Sequence, residues 1–389
     1  MISKQVDYCF IVGVIPLVPP SGGEKVVFEL VKGLIERGFT VAIVVMNRNW
    51  LKEYLSEKYN IPKNRIKLYA NLRTMLYHKI QRRTIIKLIA PIIRKVKNID
   101  YDFSFMDNTN LVFSKSPKRF SVECNYGIAT WWGTSFFLAD PHIKAEKKFY
   151  LIQNHEDDPS FSGKLSTFAA DSYKLPIIKI AVSQSLMKRF KDDKPSRILV
   201  GFDSKYYNFP GDVSTKLRNS VLIHLGFSEY KGARNAIEAA NIIHDYSQKI
   251  KLVAFGTFDH RAVPDYIEYH FQCSNSELLK LYTEASIFLF PSIVEGFALT
   301  PLEAMSCGCA VVSTRNQGAE ELIDDGINGV LVNQNSPGSL ANGVISLIEK
   351  DDLRISIGNA GKETAEKYSY ENMLKSFIEA IKKNDNYGK

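Results

Sequence analysis

The stretch from Val6 to Val45 decides the fold, and it reads VDYCFIVGV (6–14), IPLVPPSGG (15–23), EKVVFELVKGLIER (24–37) and GFTVAIVV (38–45). The first part is an apolar, β-rich run, the second is a turn-rich loop, and the fourth ends in another apolar run. The third part repeats apolar residues at the spacing of one buried helix face, namely Val27, Leu30, Val31 and Leu34. Strand, glycine turn, helix and strand make a βαβ unit, so the sequence predicts a parallel sheet.

The same pattern starts again near residue 220. A helix is predicted from Ala233, and further strands are predicted at Val221–Leu225, Lys251–Phe255, Ile287–Phe290 and Ala310–Val312. Two α/β units in tandem predict two Rossmann-like, doubly wound domains that face each other across a cleft. We place an N-terminal domain at 1–205 and a C-terminal domain at 206–369, with a last helix at about 370–389 packing back onto the first domain.

The composition excludes several classes of protein. With 389 residues, 45% of them hydrophobic and 24% charged, the chain is neither disordered nor fibrous and is long enough for two domains. Its five cysteines include no CxxC pair, so neither a zinc site nor a disulfide framework is expected, and a reducing, cytoplasmic location fits best. No run reaches the roughly 18 uninterrupted apolar residues of a membrane span.

The charge is divided unevenly between the two halves of the chain. Residues 1–200 hold 32 Lys and Arg against 18 Asp and Glu, a net charge of +14, whereas residues 201–389 hold 18 against 24, a net charge of −6. The segment 58–99, called here the basic segment, has twelve Lys and Arg and no acidic residue. Such a segment either attracts an anionic partner or is simply a solvated surface.

Two loops carry residue types suited to a phosphorylated ligand. Gly22 and Gly23 join the first strand to the first helix, where glycine lets the backbone approach a ligand and the helix start offers N–H groups to an anion. Residues 291–309 read PSIVEGFALTPLEAMSCGC, with carboxylates at Glu295 and Glu303. Thr300 fits a helix N-cap, which would make Glu303 the partner in a capping box. Glu295 has no such structural explanation.

The sequence from residue 291 to residue 308 resembles the E-x7-E signature of glycosyltransferase family 4, whose members are retaining enzymes of the GT-B fold. The matching residues are Pro291, Ser292, Glu295, Gly296, Phe297, Leu299, Leu302, Glu303, Ala304, Met305 and Gly308. Further similarity lies in Tyr230-Lys231-Gly232, in Gly201-Phe202-Asp203 and in Glu320–Gly329. The resemblance is strong from 180 to 370 and looser from 45 to 145.

The resemblance implies a role for each matching residue of the donor site. Glu295 would contact hydroxyls of the donor sugar, Glu303 the ribose hydroxyls, and Lys231 the diphosphate. The backbone of Gly22, Gly23 and the run Gly296, Phe297, Ala298, Leu299 and Thr300 would face the same diphosphate. The family's arginine after the strand glycine is replaced here by Phe227, and Arg234 is the residue that could compensate.

Two further motifs concern catalysis and metal. His155 follows a predicted strand and resembles the family's cleft histidine, which implies contact with the transferred sugar. Asp100-x-Asp102 has the form of a metal-binding motif of another transferase class. However, it precedes an apolar run, a pattern typical of the start of a β-strand. We therefore expect no metal and no cofactor, since lysine and helix amides would stabilise the leaving diphosphate.

The sequence thus predicts a hexosyltransferase-type enzyme that moves a sugar from a nucleotide-diphosphate sugar to a glycan or lipid-linked acceptor. The resemblance implies retention of configuration and work in surface polysaccharide or glycolipid synthesis. Two alternatives stay open, a sugar-nucleotide 2-epimerase-like enzyme and a non-catalytic GT-B partner subunit. The basic segment predicts an anionic membrane surface as partner, at the inner face of the cell membrane, rather than nucleic acid.

Overall fold

The computed structural model describes residues 4–13, 21–63, 108–120 and 122–385. The chain divides into two compact units. The first comprises Met1–Val182, Leu186–Ile198 and Phe377–Lys389, and the second comprises Ser183–Ser185 and Leu199–Ser376. Residues 58–63 of the basic segment are described, but residues 64–99 and Asp100-x-Asp102 lie outside the described residues.

A parallel sheet of seven described strands forms the core of the first unit. Its strands are β1 (Lys4–Val12), β2 (Val41–Met46), β3 (Asn110–Ser114), β4 (Val122–Ala129), β5 (Ala145–Ile152), β6 (Ile178–Ala181) and β7 (Ser196–Arg197). Their order in space is β3-β2-β1-β4-β5-β6-β7, and every neighbouring pair is parallel. Successive strands are added on one side of β1 as far as β3, and from β4 onward they are added on the other side. The sheet therefore has a topological switch point between β1 and β4.

The helices of the first unit are α1 (Gly22–Glu36), α2 (Arg48–Tyr59), α3 (Trp132–Ala139), α4 (Pro159–Ser162), α5 (Ser166–Ser172) and α6 (Gln184–Arg189). Helix α1 buries the four apolar residues expected from the sequence. It begins two residues before the predicted start at Glu24, because Ser21 is the N-cap and its amide donates to Glu24 Oε2 at 2.8 Å.

The second unit contains a parallel sheet with the same kind of order. Its strands are β8 (Ser220–Leu225), β9 (Lys251–Gly256), β10 (Glu268–Phe271), β11 (Ile287–Phe290), β12 (Ala310–Thr314) and β13 (Val330–Val332). The order in space is β10-β9-β8-β11-β12-β13. The switch point of this sheet lies between β8 and β11, where Leu222 pairs with Phe288.

Helices cover both faces of the second sheet, and alternate residues of β8 divide between two apolar cores. The helices after β8 are α7 (Ala233–Tyr246), α8 (Asn275–Glu284), α9 (Leu299–Ser306), α10 (Pro337–Glu349), α11 (Asp351–Ala365) and α12 (Tyr370–Asp385), and the residues of α12 from Phe377 onward belong to the first unit. Val221 and Ile223 pack in the core that includes Ala236 of α7, whereas Leu222 packs in the core that includes Leu302 of α9. This division is expected of a parallel strand buried on both faces.

The end of α12 packs within the first unit. The ring of Phe377 lies 6.0 Å from that of Phe10 and 6.2 Å from that of Tyr8, both on β1. Near the end of the helix, Asn384 Nδ2 donates to Ser196 Oγ at 2.9 Å. None of the helices in the described part of the chain is long and apolar enough to cross a membrane.

Candidate functional site

Two loops meet at the switch point of the second sheet. One follows β8 and the other follows β11, and these strands are neighbours whose carboxyl ends lie at the same edge. The amide of Ile293 donates to the carbonyl of Tyr230 at 2.7 Å, and Ser292 Oγ donates to the same carbonyl at 3.3 Å. These bonds hold Lys231 and Glu295 side by side at the edge where open α/β sheets bind ligands.

Lys231 and Glu295 form an ion pair. Lys231 Nζ lies 2.6 Å from Glu295 Oε1, and Ser292 Oγ donates to the same oxygen at 2.7 Å. Burial alone would lower the pKa of Lys231, but the carboxylate of Glu295 outweighs it and the pKa is raised. Lys231 is therefore a permanent cation at neutral pH, next to a carboxylate that is only 8% exposed.

The approach of the two loops depends on glycine. Gly232 has φ +69°, in the left-handed region, and a β-carbon added there would lie 2.1 Å from the carbonyl oxygen of Pro291. A residue with a side chain would have to push the two loops apart, which explains why glycine follows Lys231.

Three residues that the sequence reasoning missed support the loop of Glu295. Asn316 Nδ2 donates to the carbonyl of Ser292 at 2.9 Å, and Gln334 Nε2 donates to that of Ile293 at 2.9 Å. A β-carbon at Gly318 would lie 2.7 Å from Glu295 Cβ, so the chain at 318 passes directly beside it. The available signal was Asn316-Gln317-Gly318, which begins two residues after the end of β12.

The predicted capping box of Glu303 is wrong. Helix α9 begins at Leu299, and Ala298 is its N-cap without a side-chain hydrogen bond. Thr300 is therefore a residue of the helix rather than its cap, and Glu303 lies beyond the position that a capping box requires. Pro301 has no backbone N–H, but it lies in the first turn of α9, where an N–H would have no acceptor within the helix. The helix therefore loses no hydrogen bond at this residue.

Glu303 instead belongs to a buried polar pair. It is 5% exposed, and Tyr282 Oη of α8 lies 3.3 Å from its Oε2. Burial, and then the charge of Glu303, raise the pKa of Tyr282 well above its ordinary value, so the phenol stays neutral and can donate. At the start of α9 the amide of Leu299 donates to the carbonyl of Phe297 at 3.2 Å.

The position at which the resemblance leads us to expect a second cation carries an exposed aromatic side chain. Phe227 is 76% exposed, and its amide donates to Thr257 Oγ1 at 3.1 Å. Arg234 is exposed in the first turn of α7. Burial and the neighbouring Lys231 lower the pKa of His224, on β8, to about 3, so this histidine is neutral and adds no positive charge.

The other predicted residues lie in the first unit. Gly22 and Gly23 open α1, and a β-carbon at Gly23 would lie 3.3 Å from Gln153 Oε1, in the loop after β5. His155, in the same loop, is 8% exposed. Burial and then Arg189 lower its pKa, against the opposing effects of Asp157 and Asp158, so its imidazole is neutral at pH 7.

A family model matches most of the second unit. Residues 215–364, which include Lys231, Glu295 and Glu303, match the family model described as glycosyl transferases group 1. An uncharacterised glycosyltransferase of Methanocaldococcus jannaschii is 28% identical over 72% of this chain and 74% of its own length.

Other relatives align over a shorter part of the chain. A D-inositol 3-phosphate glycosyltransferase of Corynebacterium jeikeium is 39% identical over 24% of this chain and 23% of its own length. A second M. jannaschii glycosyltransferase is 36% identical over 25% of this chain and 28% of its own length. The chain thus spans less than a third of these two relatives.

Solved structures establish the fold. Anabaena HepE, in complex with UDP and glucose, has a TM-score of 0.64 at 18% identity, covering 97% of this chain and all of that chain. Sucrose-phosphate synthase of Thermosynechococcus elongatus has a TM-score of 0.66 at 14% identity, covering 98% of this chain and all of that one. The predicted GT-B fold with two Rossmann-like units is confirmed.

Proposed function

We propose that the protein is a glycosyltransferase that moves a sugar from a nucleotide-diphosphate sugar to a glycan or lipid-linked acceptor. The observation that carries this proposal is the Lys231–Glu295 pair at the switch point of the second sheet, inside the segment that matches the family model. A cation beside a buried carboxylate suits a ligand that has both a diphosphate and sugar hydroxyls. In this proposal the second unit binds the donor and the first unit receives the acceptor.

The proposed chemistry needs no protein nucleophile. The bond from the anomeric carbon to the diphosphate oxygen breaks, and the bond to the acceptor oxygen forms on the same face, so configuration is retained. The proton of the acceptor hydroxyl passes to the leaving diphosphate. Lys231 and the start of α9 meet the negative charge of that group, Glu295 and neutral His155 hold the sugar, and Glu303 holds the ribose.

The relatives suggest which ligands to try first. Anabaena HepE was solved with UDP-glucose as well as with UDP and glucose, so UDP-sugars are the first donors to test. A Campylobacter jejuni relative, 26% identical over 72% of this chain, is an N-acetylgalactosaminyltransferase that acts on a diphospho-undecaprenol acceptor. We place this protein in the same broad setting, the cytoplasmic assembly of surface polysaccharide or glycolipid.

The test is a thermal-shift screen of nucleoside diphosphates, followed by NMR of the product formed from the best-binding nucleotide sugar. Transfer to an acceptor with the anomeric configuration unchanged supports the proposal. Conversion of the free nucleotide sugar to its 2-epimer would establish the epimerase alternative. Binding of no nucleotide at all would favour a non-catalytic partner subunit.

Activity is expected to persist in excess EDTA. The proposed counter-charges to the diphosphate are Lys231 and backbone amides, which a chelator leaves in place. In the described residues no three His, Cys, Asp or Glu side chains are grouped as a metal site requires. The measurement is transfer with and without EDTA, and a complete loss that Mn²⁺ or Mg²⁺ restores would contradict a metal-independent mechanism.

The protein is expected to sediment with anionic but not with neutral liposomes. Within the basic segment, Lys79, Arg82, Arg83 and Lys87 lie among the apolar residues Ile80, Ile85, Ile86, Leu88 and Ile89. Each cation near an anionic surface contributes about 1 kcal/mol. Changing Arg82, Arg83 and Lys87 together to glutamate should abolish sedimentation and leave nucleotide binding intact.

The matched control for this triple variant makes the same charge change in the second unit, at the exposed residues Lys249, Lys350 and Lys375. It should sediment as the parent protein does. Binding should also weaken as salt is added, because mobile ions screen surface charges. Equal binding to neutral and anionic vesicles, or binding to neither, would show that the basic segment is an ordinary solvated surface and would favour a soluble acceptor.

A further inference from the structure

The carboxyl edge of the first sheet carries an arginine and a tryptophan side by side. Gly13 directly follows β1, Arg48 lies two residues after β2, and Trp131 lies two residues after β4. Because β1 pairs in parallel with both β2 and β4, these three residues come to one edge, at the switch point. Cζ of the Arg48 guanidinium lies 5.9 Å from the centroid of the Trp131 ring. Open α/β sheets bind ligands at this edge.

Two glycines make room for the ring of Trp131. A β-carbon at Gly13 would lie 3.4 Å from Cε3 of the ring and 4.0 Å from Arg48 Nη2, so residue 13 faces both groups. A β-carbon at Gly133, in α3, would clash with Cζ3 of the same ring. The ring therefore occupies space that side chains at these two positions would fill.

Hydrogen bonds fix the backbone that carries this ring. Thr134 Oγ1 accepts from the amide of Trp131 at 3.0 Å and donates to its carbonyl at 2.7 Å. Thr130 Oγ1 donates to the carbonyl of Ile11, on β1, at 3.0 Å. The turn after β4 is thus tied both to β1 and to α3, so the tryptophan is positioned before any ligand arrives.

The surroundings of Arg48 and Trp131 suit a ligand with two kinds of surface. Both residues are half-buried, whereas the next residue, Trp132, is 1% exposed and belongs to the interior. A guanidinium donates two parallel hydrogen bonds to a phosphate or a carboxylate. The face of an aromatic ring offers an apolar wall against which the ring of a sugar can pack.

Glu24 is an acid whose charge acts on Arg48. Burial lowers the pKa of Arg48, and the charge of Glu24 opposes this effect. The carboxylate of Glu24 also accepts from the amide of Ser21 at 2.8 Å in the capping box of α1. A ligand anion at Arg48 would be repelled by Glu24, so removing this acid should strengthen the binding of the anion.

We propose that Arg48 and Trp131 form a subsite of the first unit that binds a sugar next to an anionic group, either a phosphate or a carboxylate. The proposal rests on the proposed function only in calling this sugar the acceptor. In that role Trp131 packs against the last sugar of the acceptor and Arg48 holds its anion. The loop of His155 adjoins the same turn, since Gln153 Nε2 donates to the carbonyl of Thr130 at 3.5 Å.

The test is a saturation-transfer NMR titration of the full-length protein with glucose 1-phosphate, glucuronate and uncharged glucose. At least one anionic sugar should bind more tightly than glucose, and which one does so distinguishes a phosphate from a carboxylate. Arg48→Gln should weaken the binding of that sugar about tenfold and leave glucose unchanged, because a charge-assisted hydrogen bond is lost. Glu24→Gln, which can still form the capping box, should tighten it.

Loss of the ring should act on all three sugars alike. Trp131→Leu should weaken their binding regardless of charge, because it removes the wall for the sugar ring. Gly13→Leu covers the case in which Trp131→Leu does not fold. The β-carbon fits at 3.4 Å from the ring, but the rest of the leucine side chain would cover the ring, so binding should again weaken for all three sugars.

Two control variants separate this subsite from other cations. Lys58→Gln removes one charge from the same helix, about 15 Å further along it, where Lys58 Nζ lies 4.8 Å from the centroid of the Phe136 ring. It should bind all three sugars as the parent protein does. Lys231→Ala should also bind the anionic sugar normally, because the donor site is in the second unit.

Three results would overturn the proposal. They are equal binding of the three sugars or binding of none, unchanged binding of the anionic sugar in Arg48→Gln, and loss of that binding in Lys231→Ala. The last result would place the sugar phosphate in the donor site instead. These titrations need no nucleotide sugar, so their outcome stands even where the proposed transferase activity fails.

Where transfer is established, kinetics distinguish binding of the acceptor from support of the fold. Arg48→Gln should raise the KM of an anionic acceptor about tenfold and leave unchanged both the KM of the donor and the hydrolysis of the donor without acceptor. An equal effect on the two KM values would show that Arg48 only supports the first unit, contrary to the proposal.

Discussion

Replacing Lys231 or Glu295 with alanine is expected to lower kcat/KM by at least about two orders of magnitude, which corresponds to about 3 kcal/mol of transition-state stabilisation. Each change removes a charged contact from the same closed position, because Lys231 Nζ and Glu295 Oε1 lie 2.6 Å apart. Each also leaves the other charge without its partner, which adds to the loss. The fold should survive, since neither side chain belongs to the apolar cores.

The double variant shows whether the two residues work as a pair. Its loss should be clearly smaller than the sum of the two single losses, as holds for residues in direct contact. The control is Arg261→Ala, which breaks an ion pair of the same length in the same unit, 2.6 Å from Asp259, but with side chains 79% and 42% exposed. Turnover near that of the parent protein in both single variants would show that the donor site lies elsewhere.

The strands and helices were predictable because each carries its own periodic pattern. The helix from Ala233 and the strand at Ile287–Phe290 are found at the predicted positions, since continuous apolar runs bounded by glycine or polar turns leave little choice. That Lys231 and Glu295 lie close together could also have been predicted from the sequence. Both follow strands of a parallel sheet, whose carboxyl ends share one edge.

The start of α9 shows where local pattern is not enough. Thr300 and Glu303 have the spacing of a capping box, yet the helix begins at Leu299 and Glu303 accepts from Tyr282, a residue of another helix. The pairing of a buried acid with a phenol 21 positions away has no local signature. The local pattern therefore assigned Glu303 a structural partner, the helix N-cap, that it does not have in the fold.

The buried acid Glu156, in the loop of His155, was missed for the same physical reason. Its hydrogen-bond partners include Tyr150 and Tyr173, which come together only when β5 and the chain after α5 are packed. In the sequence it is one acid among three, followed by Asp157 and Asp158. Burial is what separates it from them, and burial of a single loop residue is a property of the whole fold.

The change of Gly232 to alanine should have the second-largest effect, and it should be seen in both stability and activity. A β-carbon at this position would lie 2.1 Å from the carbonyl oxygen of Pro291, a contact with backbone that no side-chain rotation relieves. Its φ of +69° adds the ordinary cost of a left-handed residue, about 1 kcal/mol. We expect the free energy of unfolding to fall by about 3 kcal/mol or more.

The matched control separates the clash from the backbone angle. Gly326 has φ +76° in the same unit, but a β-carbon there would meet nothing within 4 Å, so Gly326→Ala should cost only about 1 kcal/mol and leave turnover unchanged. The extra cost of Gly232→Ala then measures the contact between the loops after β8 and β11. Because that contact sets Lys231 beside Glu295, activity should fall by about 100-fold, well beyond any loss of folded protein. Equal costs for the two variants in denaturant unfolding would show that the loops can separate freely, and the ion pair would then owe its geometry to the side chains alone.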